Sequence, residues 1–536
     1  MEKYVLILGA GLMQRPSIEA ARELGYKTLV VDANPNALCT GFADRFEPID
    51  LKAKEKIADL ALSMGDGLAG VFTAGTDFSA TVSYVAEKCG FKAHSYESAL
   101  NASNKIRMRS CFKKAGVPSP EFREVHRSQI ASLLRPSEME KIKFPKVVKP
   151  VDNMGARGCR LIRNQSEFLP SVEDAVRNSR SGKAILEDYM EGPEFSIDAV
   201  VWNGTLTITG FADRHIYYSP YFIEMGHTMP TIIEEKKRNE LILAFARGIK
   251  ALGLSAGVAK ADIKYTADGP MIGEIAARLS GGYMSGWTYP YASNLELTKQ
   301  ALLIAVGREP EDLLLRRKPL PISGSPFEIY EVPCIKTSAE RAWISIPGII
   351  KEIYGEDRCL QYPFIKNAML RSKCGDKVDF PRNNVEKCGN CISTATDRNL
   401  AVNAAENAAA RMVLRLETDN PQTETFLMGF ARPSEDGFPP SAYELNPSQR
   451  EAFDKYLSSA GTIAADKKTE AKIPMCLEEI ADNIMDWNHR SIRMTLRAFD
   501  SICPRHPEMD EKVFWNALVR GGLQGILYVS DSVVSK

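Results

Sequence analysis

Phe144-Pro145-Lys146-Val147-Val148-Lys149-Pro150-Val151-Asp152-Asn153-Met154-Gly155-Ala156-Arg157-Gly158 is the stretch on which the fold turns. It reads as an apolar strand that ends in a lysine, followed by a glycine loop. Lys149 can reach out of the sheet toward a phosphate. Gly155 and Gly158 permit close backbone approach, so that successive N–H groups can point at oxyanions. About 110 residues later, Gly257-Val258-Ala259-Lys260-Ala261-Asp262-Ile263 and Met271-Ile272-Gly273-Glu274-Ile275-Ala276-Ala277-Arg278 read as two strands joined near Asp268-Gly269. Asp262 and Glu274 can then face one cleft. Magnesium takes hard oxygen ligands and completes its shell with water and phosphate, so two carboxylates suffice. Phosphate cations, a covering loop and a carboxylate pair together point to bound ATP and magnesium.

Ile185-Leu186-Glu187-Asp188-Tyr189-Met190 reads as a strand whose edge can meet adenine through backbone groups. Glu187 is placed to orient that edge, Tyr189 lies on it, and Glu194 follows as a partner for a ribose hydroxyl. Lys105, where a helix opens, adds charge to the same site. Arg278, four residues past Glu274, can fork onto a carboxylate or an acyl phosphate. Gly281 and Gly282 supply backbone donors beside it.

A chain of 536 residues exceeds one core, so three or four domains are expected. The 44% apolar and 25% charged composition is that of a globular protein, and 68 basic residues balance 68 acidic ones. Nucleic-acid and anionic-membrane partners are therefore not expected. No apolar run of spanning length occurs. Met1 to Leu8 reads as a strand rather than a leader, and eleven cysteines fit reduced thiols; the expected location is cytoplasmic.

Strands alternate with helices over residues 1–100, as a parallel sheet covered on both faces requires. Residues 144–200 read as a small mixed unit. Pro319 to Pro326 and Arg432 to Pro440 read as linkers. A helix is expected over Asn399 to Leu416, and helices fill 441–536, where Met485, Trp487, Phe499, Phe514 and Trp515 need cover from the body of the molecule or from a second copy.

The spacing of Lys149 to Gly155, Glu187 to Glu194 and Asp262 to Glu274, with the Asn104-Lys105 dipeptide, resembles the ATP-grasp superfamily. The tract Glu274 to Gly282 is most similar to its L-amino acid and carboxylate–amine ligase branch; carbamoyl phosphate synthase and biotin carboxylase share the fold. The resemblance covers residues 1 to about 430. It implies an α/β chain: a pre-grasp αβ domain (1–100), an ATP-grasp domain (101–318) with a lid at about 145–200, a β-rich closing domain (327–430) and an added helical segment (441–536). It implies ATP contacts at Lys105, Lys149, Gly155, Glu187, Tyr189 and Glu194, magnesium or manganese on Asp262 and Glu274, and substrate at Arg278, Gly281 and Gly282. Lys149 and Arg278 would serve the chemistry. The activity implied is amide formation from a small acid and a small amine through an acyl phosphate, with room for a homo-oligomer. Many members place an asparagine, a further metal ligand, where this chain has Ala276.

Competing readings are weaker. A non-catalytic nucleotide-binding assembly protein has no need of Arg278. Gly9-Ala10-Gly11 with Asp32 suggests a dinucleotide site, yet the third glycine is missing. Cys388-Gly389-Asn390-Cys391, with Cys359 and Cys374, is irregularly spaced for zinc and reads instead as a hairpin turn. His227, Trp287, Tyr289 and Tyr291 are candidates for a pocket wall, with core packing the plainer role.

Overall fold

The computed structural model describes residues 2–428, 437–465 and 468–534, and the chain divides into two compact units. The first unit spans residues 1–215, 227–339 and 394–398. It opens with strands β1 (Tyr4–Leu8), β2 (Lys27–Val31), β3 (Arg45–Glu47) and β4 (Leu68–Phe72), in the parallel order β3-β2-β1-β4. Alternation divides their apolar side chains between two cores. Val5, Ile7 and Val30 pack on one face with Ile18 and Leu302, while Leu6, Leu8, Leu29 and Val31 pack on the other with Ile57 and Val85. Near-continuous apolar strands are what a sheet buried on both sides demands.

The small mixed sheet has the order β5-β8-β6-β7, from β5 (Phe122–His126), β6 (Lys146–Pro150), β7 (Arg160–Ile162) and β8 (Lys183–Asp188). Helix Phe168–Arg177 covers one face through Phe168, Val172 and Ala175. This element runs over 122–188 rather than 144–200. The difference arises at both ends: Phe122–His126 pairs antiparallel with β8, while Glu194–Trp202 joins another sheet.

That larger sheet contains β9 (Glu194–Trp202), β10 (Thr205–Tyr217), β11 (Ile223–Met229), β12 (Gly257–Thr266) and β13 (Gly269–Ala276). Within it β9 lies between β10 and β12, and β13 flanks β12, all antiparallel. Helix Glu235–Leu252 lies on β13, where Gly248 leaves room for Ile272 and Ile275: a Cβ there would sit 2.5 Å from Ile275 Cδ1.

The second unit spans residues 216–226, 340–393 and 399–536. Strand Gly389–Ala395 lies between Thr337–Trp343 and Ile365–Leu370. The expected hairpin turn at Gly389-Asn390 is instead the opening of this strand. Gly389 is there for packing, since a Cβ would lie 2.0 Å from the Trp343 ring. The expected helix ends early, at Ala409, because Val413–Leu416 pairs with Gly348–Tyr354. Of the linker Arg432 to Pro440, residues 432–436 lie outside the described residues. The C-terminal helices pack on this same unit: Asn488 exchanges hydrogen bonds with Ile344, Gln524 binds Ser345 and Leu414, and Asp531 pairs with Arg415. Trp487, Phe499, Phe514 and Trp515 are buried, whereas Met485 stays 49% exposed.

Candidate active site

Alternation along a strand places residues i, i+2 and i+4 on one face. On β12 these are Lys260, Asp262 and Lys264. The register opposes them to Asp198, Ser196 and Glu194 of β9, and it sets Asp262 against Glu274 and Lys260 against Ala276 of β13. Three rungs result: Glu194–Lys264, Ser196–Asp262–Glu274, and Asp198–Lys260–Ala276. The bulge after Asp262 falls just past the middle rung and leaves the carboxylates opposed.

Cations converge on these rungs from other elements. Asn104 caps helix Lys105–Ala115 by accepting from the N–H groups of Ile106 and Arg107, and Lys105 N–H donates to Val151 O. Lys105 is thereby held beside the loop after β6. Its Nζ donates to Asn153 O at 3.1 Å and lies 3.5 Å from Glu274 Oε2. One helical turn on, Arg109 Nε donates to Glu187 Oε1 at 2.7 Å and Nη2 to Gly273 O at 2.6 Å. Lys149 Nζ lies 2.8 Å from the other Glu187 oxygen. Burial alone would lift the Glu187 pKa, but Arg109 and Lys149 hold it down at about 2. Burial likewise pulls against the Lys149 ammonium, and Glu187 overrides it, raising the lysine.

Glu274 keeps 29% exposure. Burial again opposes its charge, and Lys105, then Lys260, Arg278 and Lys149, outweigh it and bring the pKa to about 2. Asp262 is more occupied. Arg214 Nη1 lies 2.9 Å from its Oδ1, and Lys260 Nζ donates to its Oδ2. Glu194 pairs with Arg214, and with Lys264 at 3.5 Å. Lys264 also donates to Met190 O at 3.2 Å and lies 5.3 Å from the Tyr189 ring centre. Among the described residues no group of three or more His, Cys, Asp or Glu could hold a metal. A magnesium ion here would rest on hard carboxylate oxygens and phosphate. That donor set fits it, with Glu274 the more open ligand.

The glycine loop connects to the rungs through Lys105, which binds Asn153 O and lies 3.5 Å from Glu274. Asp152 fixes its start by accepting from Ser179 Oγ and from the N–H groups of Arg180 and Ser181, all within 2.9 Å. Gly155 and Gly158 both have left-handed backbone, with φ of +68° and +66°. On the far side Asp198 accepts from Ser280 N–H at 3.1 Å and from Ser280 Oγ, which fixes the segment holding Gly281 and Gly282. Burial pushes Asp198 up to about 6, with the Ser280 bonds pulling the other way. Arg278 is buried, with Nη1 donating to Leu279 O. Its Nε lies 4.0 Å from Asp77 and has no hydrogen-bond partner. Gly281 sits against Gly75, whose would-be Cβ lies 3.3 Å from Gly281 Cα.

A family model described as an ATP-grasp domain matches residues 142–286. The chain carries an ATP-grasp domain. A second model, L-amino acid ligase C-terminal domain 2, matches residues 342–417. Carnosine synthase 1 of Gallus gallus is 25% identical over 365 residues, which are 63% of this chain and 38% of that one. The carbamoyl phosphate synthase large chain of Thermus thermophilus is 25% identical over 374 residues, 64% of this chain and 32% of that one. The chain thus spans well under half the length of these two relatives. The solved L-amino acid ligase of Bacillus licheniformis superposes with a TM-score of 0.64 at 20% identity, over 78% of this chain and 99% of that one.

The three rungs lie on strands of this ATP-grasp domain. Lys105 pairs with Glu274, Lys149 pairs with Glu187, and Glu194 and Asp262 share Arg214, while Tyr189 lies against Lys264 and Arg278 acts on Glu274 by charge. Gly155 is two residues from Asn153, which Lys105 binds. Sequence reasoning missed Arg109, Lys260, Lys264, Arg214 and Asp198. The i+4 spacing from Lys105 pointed to Arg109, and the i±2 spacing from Asp262 to the two lysines. Arg214 and Asp198 gave no local signal.

The remaining candidates occupy structural positions. Asp32 accepts from Ala10 N–H and Asn34 N–H, and Gln14 folds over Gly9 to bind Thr73 and Thr76. The protein's own groups thus use the incomplete dinucleotide loop. Tyr289 is fully buried against Gly210, where a Cβ would lie 2.5 Å from its ring. Trp287 packs edge-on to Tyr283, and His227 is buried in β11.

Proposed function

We propose that this chain is an ATP- and magnesium-dependent ligase that joins a carboxylate to an amine through an acyl phosphate. The observation that supports it most is the middle rung, a carboxylate pair on neighbouring strands with Lys105 and Lys149 converging beside it. The γ-phosphoryl group of ATP would move to a carboxylate oxygen, releasing ADP. An amine nitrogen would then attack the carbonyl carbon, lose a proton and expel phosphate as the C–O bond breaks.

Lys105 and Lys149 would neutralise charge on the transferring phosphoryl group, a preorganised electrostatic task. When bound, magnesium on Glu274 and Asp262 supplies further charge neutralisation at phosphate oxygens. Tyr189 and Met190 would present the adenine edge, and Glu194 would meet the ribose. Arg278 suits the substrate carboxylate: a buried guanidinium N–H without a partner is costly until an anion accepts from it. Gly281 and Gly282 N–H groups would then stabilise the tetrahedral oxyanion. The loop carrying Gly155 and Gly158 would exclude water, which an acyl phosphate requires.

The match to an L-amino acid ligase C-terminal domain supports amino acids as first substrates. The test is phosphate release with ATP, magnesium and paired amino acids. Release that depends on both an acid and an amine, with an amide product by mass spectrometry, is expected. Tight nucleotide binding with no turnover on any pair would instead favour a non-catalytic nucleotide-binding role.

A further inference from the structure

On the third rung Lys260 stands between Asp198 and Ala276. Its Nζ donates to Asp262 Oδ2, its charge acts on Glu274 second only to Lys105, and its side chain is only 13% exposed. Neither neighbour on that rung is an open ligand. Asp198 is engaged by both donors of Ser280, and Ala276 has no side-chain oxygen. Two cations already lie against Asp262, whereas Glu274 has one at 3.5 Å. A second divalent ion at this rung would meet a fixed ammonium and, on Asp198, oxygens that already accept from Ser280.

We infer that Lys260 supplies from the protein the positive charge that a second divalent ion would otherwise bring, so that the site takes one metal per nucleotide. The inference rests on the ATP–magnesium reading above and deepens it. Lys260 acts as a fixed cation: it holds Asp262 in place while the site is empty and lies beside the phosphates once nucleotide is bound. A positioned ammonium does this without dependence on free metal.

The experiment counts manganese by electron paramagnetic resonance during titration of the full chain with Mn2+ at saturating β,γ-methylene-ATP. One bound manganese per chain is expected for wild type and for Lys260→Arg. Lys260→Ala removes the ammonium and frees an Asp262 oxygen, so its count is expected to double to two. Two manganese ions in wild type overturn the assignment, and that measurement requires no variant to fold. A count that stays at one in a folded Lys260→Ala overturns it as well. If wild type fails to bind the analogue at all, the nucleotide reading itself falls, and this inference with it.

Discussion

Glu274 is the residue at which charge and openness meet. Four cations hold it ionised, yet it keeps accessible surface that Asp262 has largely given to Arg214 and Lys260. Glu274→Gln keeps the shape and removes the charge. Turnover is expected to fall by two orders of magnitude or more, with nucleotide affinity changed less than tenfold, since the proposed adenine and ribose contacts lie elsewhere; wild-type turnover would refute the proposed metal role. Asp198 behaves oppositely. Its pKa is about 6 against an ordinary 3.8, so folding favours the protonated form. Its contribution to stability is complete below about pH 4 and is lost as pH rises through 6. Asp198→Asn has no such loss. From pH 4 to 6.5 the stability difference should therefore move in the variant's favour by on the order of 2–3 kcal/mol, and then stay level. Urea unfolding of both proteins across that range reads this directly, and a pH-independent difference would remove burial as the cause.

Among the elements, the glycine loop has the clearest consequence. Gly155 is left-handed, and a β-branched side chain there is strained in any surroundings. An ATP analogue should protect the 145–160 segment from protease in wild type and fail to do so in Gly155→Val. Absence of protection in wild type would mean that the segment does not close over nucleotide. This loop was legible in the sequence because its signal is local: a lysine at a strand end, then two glycines. The Asp262–Glu274 pair was legible for the same reason, as its strands are joined by a short turn. The partners that tune it were not. Arg214 comes from β10 and Asp198 from β9, and their register depends on a bulge between Ile208 and Gly210 that no local pattern announces. Gly389-Asn390 misled in the other direction. The dipeptide suits a turn, but the ring of Trp343 needs the missing Cβ where a strand opens, and packing overrides local preference.

For the whole molecule, the informative division is between the first unit, which holds most of the ATP-grasp domain, and the second, where residues 437–534 join 340–393 and 399–428. The need to cover the large apolar groups of the C-terminal segment was readable from its helical periodicity; the surface that covers them was not, because its contacts reach 78 to 178 residues upstream. That surface is specific. Trp487 packs edge-on to Phe380 with ring centres 5.1 Å apart, Arg490 donates to the carbonyls of Ala410 and Met412, and Gln524 Oε1 accepts from Ile346 N–H. Removing residues from 437 onward would expose Phe380 and leave Ile344, Ile346 and Leu414 backbone groups without their present side-chain partners. Each orphaned buried polar group costs about 1–3 kcal/mol and each bared large apolar side chain about 1.5–3 kcal/mol. Their sum is comparable to the roughly 5–15 kcal/mol that a domain holds in reserve. A chain truncated at Gly437 should therefore be insoluble or bind hydrophobic dye strongly, with the second unit unfolded. Recovery of a soluble, cooperatively unfolding truncated protein with full turnover would show that the helices are an accessory, not part of that unit's core.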